Sequence, residues 1–180
     1  MARVYLKKST KTASTGSDDV RATVMGILND IETGGDSAAL EYAAKFDGYD
    51  GNLILTEAEI QVACDLVPEK LKQDIQFAHA NVKRFAEAQR GTVTDFETEI
   101  VPGLIAGQKS IPCNAAGCYI PGGRYSHIAS AIMTVTTAKV AGCQHITACS
   151  PPAKDAGIAP AIIYAAHHCG ADKILAMGGV

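Results

Sequence analysis

The stretch Ala115–Cys149, AAGCYIPGGRYSHIASAIMTVTTAKVAGCQHITAC, constrains the fold of this chain more than any other segment. Ala116–Ile120 is a short apolar run whose composition suits a buried strand. Pro121, Gly122 and Gly123 break it at once. A helical pattern then begins at Ser126, with Ile128, Ala131, Ile132, Val135, Ala138 and Lys139 at three- and four-residue steps. Gly142 is a suitable stop, and His145–Cys149 is a second apolar run ended by Ser150-Pro151-Pro152. Strand, glycine loop, helix and strand make a βαβ unit. Its loop lies at the carboxyl end of the first strand, where open α/β sheets bind ligands.

The unit continues. Ile158–Cys169 reads as a helix with Ile162, Ile163, Ala166 and Cys169 inward and Gly170 as its cap. Asp172–Met177 reads as a third strand ending at Gly178-Gly179. The expected architecture is an α/β fold in which residues 115–180 form an incomplete Rossmann-like β-α-β-α-β parallel sheet, since such crossovers are right-handed. A parallel sheet needs cover on both faces, and a strand entering Gly-Gly ordinarily feeds another helix. The sequence therefore predicts a truncated chain.

Upstream, residues 1–16 read as a polar arm, and residues 17–114 as a helical region with a short hairpin. Ser17-Asp18 opens a helix through Val20, Val24, Ile27, Leu28 and Ile31. Gly34-Gly35 ends it, and Asp36 starts another carrying Leu40, Tyr42, Ala43 and Phe46, with Phe46 in the core by its pattern. After a turn, Leu53–Leu55 is a short extended piece. Thr56 with Glu59 forms a capping box before Ile60, Ala63 and Leu66. The longest helix runs from Pro68 to Gln89, with Leu71, Ile75, Ala78, Val82, Phe85 and Ala86 on one stripe and Gly91 as its cap. Asp95–Val101 and Leu104–Ile111 around Pro102-Gly103 carry a hairpin signal. Pro112–Ala115 is the expected linker.

Composition narrows the function classes. No apolar run reaches the roughly 18 residues of a membrane span, and the amino terminus lacks the apolar centre of a signal peptide. A cytoplasmic protein is expected. A net charge of −3 with no basic stripe argues against nucleic acid as a partner. The six cysteines contain no C-x-x-C pair and read as reduced core thiols. His167 and His168, about 100° apart on a helix, make a poor chelate, and no metal site is expected within these residues.

The loop P-G-G-R-Y-S-H is neither G-x-G-x-x-G nor a Walker loop. Its glycines allow close backbone approach at Gly122, and the following helix start offers free N–H groups to an anion. A tight βα turn would use the same glycines. Arg124 offers a fork for a carboxylate, phosphate or sulfonate, and His127 a second donor; a solvated loop charge and a packed helix residue are the plainer alternatives. Tyr119 could stack on a flat ligand, and Pro151 could wall a ring, or both could simply end their strands.

The runs G-C-Y-I-P-G-G (117–123), A-K-V-A-G-C (138–143), C-S-P-P (149–152) and L-A-M-G-G-V (175–180) occur in this order. With Gly34–Gly48, ending in E-Y-A-A-K-F-D-G, they resemble the histidinol dehydrogenase family. The resemblance covers nearly all of this chain and less than half of a family member. It implies a zinc-dependent, NAD-linked dehydrogenase built as a homodimer. By motif matching, Phe46, Tyr119, Pro121 and Pro151 fall on cofactor-contacting positions, which Gly122 joins through its loop. The zinc ligands and a Glu-His acid/base pair would lie beyond Val180, so these residues alone would be inactive. The run R-Y-S-H-I-A-S-A after P-G-G resembles the sulfopropanediol-oxidising branch, whose anionic substrate would suit Arg124 and His127. The alternatives are histidinol dehydrogenase itself and a non-catalytic nucleotide-binding or dimerisation module.

Overall fold

The computed structural model describes residues 17–49, 51–122, 126–153 and 156–178. The expected arm, 1–16, and Arg124 lie outside these residues.

The elements follow in the expected order. Helix α1 (Ser17–Asp47) is two helices merged across a kink at Gly35, whose φ of 57° and ψ of −140° are helical for no residue. The Gly34-Gly35 break is therefore real. Helix α2 (Glu57–Leu66) starts with the full capping box: Glu59 N–H donates to the Thr56 hydroxyl, and Thr56 N–H donates to the Glu59 carboxylate at 2.7 Å. Helix α3 (Glu69–Arg90) takes Pro68 as its N-cap rather than its first helical residue, and ends at Gly91 in a right-handed conformation. Strands β1 (Phe96–Val101) and β2 (Leu104–Gln108) form the antiparallel hairpin, with Gly103 at φ 84° in the turn.

Strand β3 (Ala115–Tyr119), helix α4 (Ile128–Ala141), strand β4 (His145–Ser150), helix α5 (Pro160–Cys169) and strand β5 (Lys173–Ala176) complete the chain. Gly142 and Gly170 stop α4 and α5 in the left-handed conformation that glycine adopts without steric cost. The sheet is parallel, in the order β3-β4-β5. Two consecutive crossovers stepping the same way put α4 and α5 on the same face. Ile120, Ile146, Ala148, Ile174 and Ala176 are buried beneath them. The alternate residues Tyr119, Thr147, Cys149 and Leu175 stand on the other face, exposed or half-buried. Helices α2 and α3 pack on α5 and α4 as an outer layer. Helices α4 and α5 are thus a middle layer, which is why both are apolar on most sides: Ile162 through Ala166 are buried in succession.

The piece Leu53–Leu55 pairs with the sheet. Ala176 N–H donates to Leu53 O at 2.7 Å and Leu55 N–H to Ile174 O at 3.0 Å, so β5 is flanked by an antiparallel segment.

Three expectations about burial fail. Phe46 is 46% exposed; it stacks on Tyr42 in the last turn of α1 instead of entering the core. Phe85 and Leu66 are exposed as well, although the helical spacing puts each with buried residues of its helix. The cysteines are all reduced, but only Cys64, Cys118 and Cys169 are buried; Cys113 is exposed and Cys143 and Cys149 are half-buried.

Candidate functional site

The carboxyl ends of β3, β4 and β5 come together, and the central residue there is Pro151, directly after β4. Gly122, after β3, and Gly178, after β5, press against it from either side. A Cβ on Gly122 would lie 2.5 Å from Pro151 Cγ, and a Cβ on Gly178 would overlap Pro151 Cβ and Cα. Neither glycine has a positive φ. Close approach, not backbone conformation, is what requires glycine there.

Around this wedge the structure gathers the sequence-expected residues of the crevice. Tyr119 ends β3 in register with Cys149, on the open face of the sheet, and is 51% exposed. Ile120 N–H donates to Cys149 O at 2.8 Å, extending the β3–β4 pairing one residue to the edge of Pro121. Pro121, Gly122 and Pro151 are half-buried, and Pro152 is buried. Tyr119, Pro121 and Pro151 therefore stand at the same end of neighbouring parallel strands. Ser150, under Pro151, is 1% exposed, and its hydroxyl has no hydrogen-bond partner among the described residues. No local sequence pattern marks that orphan hydroxyl.

His127 is the N-cap residue of α4, exposed, and its side chain makes no capping bond. The first N–H groups of α4 thus carry no side-chain cap, the condition in which a helix start can receive an anion. Burial pushes the Cys149 thiol above its ordinary range, with the neighbouring Cys118 adding to it; Cys118 is raised chiefly by burial. Neither is a ready thiolate nucleophile.

Phe46 reaches this end of the molecule through its neighbour. Gly178 N–H donates to Asp47 Oδ2 at 2.9 Å, tying the end of α1 to the loop after β5. Lys45 Nζ lies 5.3 Å from the Phe46 ring centroid. Asp47 and Gly178 had no place among the sequence-derived site residues, although F-D-G and M-G-G both stand in the motifs that carry the family resemblance.

Two surface hollows of about 590 and 610 Å³ lie elsewhere. Arg90 and Val140 line both, at the carboxyl ends of α3 and α4 and hence at the amino ends of the strands. Among the described residues no three His, Cys, Asp or Glu side chains gather as a metal ion would need, so zinc has no fitting ligand set there. No helix among them is long and apolar enough to cross a membrane.

The parallel sheet, covered on one face by α4 and α5, defines an α/β protein, and the proline-glycine edge stands at the strand ends, the end at which open α/β sheets bind ligands. The histidinol dehydrogenase family model matches residues 10–180. The chain belongs to the histidinol dehydrogenase family. It is 67% identical over 176 residues to the sulfopropanediol 3-dehydrogenase of Ruegeria pomeroyi, covering 98% of this chain and 40% of that protein. It is 50% identical over 181 residues to a histidinol dehydrogenase homolog of Pelagibacter ubique, covering 100% of this chain and 42% of the other. The crystal structure of histidinol dehydrogenase from Elizabethkingia anophelis superposes with a TM-score of 0.81 at 30% identity, over 96% of this chain and 39% of that one. The chain spans about two fifths of the length of these relatives.

Proposed function

We propose that these residues are the first part of an NAD-linked, zinc-dependent alcohol dehydrogenase that oxidises a small anionic diol such as sulfopropanediol to the acid. The observation that carries the substrate class is the 67% identity to a sulfopropanediol 3-dehydrogenase, against 41% to the histidinol dehydrogenase of Methanosarcina barkeri. The strand-end geometry supports the nucleotide reading. NAD, when bound, accepts the hydride removed from the alcohol. Tyr119 offers an exposed ring face for stacking, Pro121 and Pro151 offer apolar walls, Gly122 allows the backbone to come close, and Phe46 offers a second exposed ring. Zinc is assigned to ligands outside the described residues. The whole protein is proposed as a homodimer.

Arg124 and His127 are assigned to the substrate's anionic end. Arg124 follows the glycine turn in sequence, and His127 stands exposed at the uncapped start of α4. A guanidinium fork on a sulfonate is charge-assisted and bidentate.

The test uses the full-length protein, NAD, and sulfopropanediol or histidinol as substrate, read as NADH formation. Sulfopropanediol is expected to be the better substrate. Arg124→Lys keeps the charge and loses the fork, so KM for sulfopropanediol should rise roughly ten- to hundredfold. A better rate with histidinol overturns the substrate. If Arg124→Ala weakens NAD and leaves sulfopropanediol unaffected, Arg124 contacts the dinucleotide's pyrophosphate instead.

A further inference from the structure

The bond from Gly178 to Asp47 joins residues 131 positions apart. Its donor sits in the loop after β5, and its acceptor is the last residue of α1. Gly178 is also the residue that presses on Pro151, so closely that no side chain could replace its hydrogen. A glycine has the widest backbone freedom of any residue and needs an external hold to keep one position. A carboxylate accepting from a backbone N–H supplies such a hold, because charge-assisted bonds are the stronger ones. The same carboxylate fixes the helix end that carries Phe46, with its exposed ring, one residue away.

We propose that Asp47 is a positioning residue for the dinucleotide: through Gly178 it sets Pro151, and through its own backbone it sets Phe46 at the same crevice. This rests on the NAD reading above. Asp47 touches neither hydride nor alcohol. Its effect falls on the affinity for the nucleotide and leaves the chemical step alone. The sequence separates Asp47 from Pro151 by two helices, a hairpin and a βαβ unit, so no local pattern links them.

The experiment compares Asp47→Ala, Asp47→Asn and Tyr119→Ala in the full-length enzyme, measuring kcat and both KM values. The amide oxygen of Asn can still accept the Gly178 N–H. Asp47→Ala should raise KM for NAD roughly tenfold, with kcat and the alcohol KM within about twofold of the parent. Asp47→Asn should stay within about threefold of the parent, since a neutral acceptor is only somewhat weaker. Tyr119→Ala should raise KM for NAD as well. If Tyr119→Ala weakens NAD and Asp47→Ala does not, the positioning role is wrong while the NAD site stands. If neither changes KM for NAD, the nucleotide reading itself falls. A uniform loss of kcat, both affinities and melting temperature in Asp47→Ala marks a merely structural residue and overturns the proposal. So does an Asn variant as impaired as the Ala variant. Should Asp47→Ala not fold, Asp47→Glu, which keeps the charge and displaces the oxygen by one methylene, must show the same selective rise in KM for NAD.

Discussion

The layer of β3–β5, α4 and α5 and the segments α1 and β1–β2 all carry periodic apolar residues, and those residues meet opposite fates. In the first, Ile120, Ile146, Val135 and Ala165 are fully buried. In the second, Val20 and Leu28 of α1 and Phe96, Ile100, Ile105 and Leu104 of the hairpin are more than half exposed. Every residue of both hairpin strands is exposed. An apolar period of 3.6 or 2 fixes which residues share a face. It does not say whether another element lies within reach of that face. A two-stranded hairpin alone is marginal in water, so its apolar residues contribute little stability where they stand. Helix α5, by contrast, sits between a sheet and α2, and its side chains are covered on both sides.

Several measurements break or sharpen this contrast. The largest effect belongs to the sheet core. Ile146→Ala should cost about 2–5 kcal/mol in urea unfolding, because a fully buried side chain leaves a cavity. Ile105→Ala in the hairpin should cost no more than about 0.5 kcal/mol. Equal costs would show that the hairpin is covered after all.

Within the sheet layer the glycines divide in the same way. Gly178→Ala and Gly122→Ala force a Cβ into Pro151 and should each cost about 1–3 kcal/mol, the scale of overpacking. Gly117, in the middle of β3, has nothing within 4 Å of its missing Cβ. Gly117→Ala should be neutral or stabilise by about 0.5–1 kcal/mol, the penalty that glycine carries in a strand. A damaging Gly117→Ala would mean that the open face of the sheet is filled.

Helix starts give a smaller contrast. Thr56→Ala removes the hydroxyl that accepts the Glu59 N–H, leaving only the backbone half of the α2 capping box, and should cost about 1 kcal/mol. His127→Ala removes no cap from α4 and should change thermal stability by less than about 0.5 kcal/mol. A costly His127→Ala would mean that His127 supports the helix and does not wait for an anion.

The smallest effect is a pH dependence at the α3–α5 contact. His79 and His168 meet edge to face at 4.9 Å, and Tyr164 stacks on His168. Burial pushes both imidazoles below their ordinary range; His168 and Lys83 add to the effect on His79, and His167 to that on His168. The fold therefore favours the neutral rings. Their contribution is intact above the unfolded value of about 6.5 and is lost as pH falls through the lower folded values. Melting temperature should decline below about pH 6.5, and His168→Gln should flatten the decline. The Glu59 carboxyl is held below its usual range by the Thr56 N–H and hydroxyl. Its contribution is lost only further into acid, below about pH 4.3, so the two effects separate on the pH axis. A single transition would show that the histidine pair is not sensed.

What the sequence determined by itself is whatever a few consecutive residues decide. The break at Gly35, the capping box of Thr56 and Glu59, the hairpin turn at Gly103 and the left-handed stops at Gly142 and Gly170 are short-range backbone chemistry, and each is where the pattern put it. The handedness of βαβ crossovers extended that reach to the site, bringing Tyr119, Pro121 and Pro151 to one end of the sheet. Only the tertiary structure decided the rest. It turned Phe46 outward to stack on Tyr42, because an amphipathic pattern cannot count its neighbours. It paired Leu53–Leu55 with β5, because edge pairing needs only an extended backbone and so leaves no side-chain signature. It set Gly122 and Gly178 against the two sides of Pro151 and hung Gly178 on Asp47. Those contacts join residues far apart in the chain, and their geometry exists only once the layers have packed.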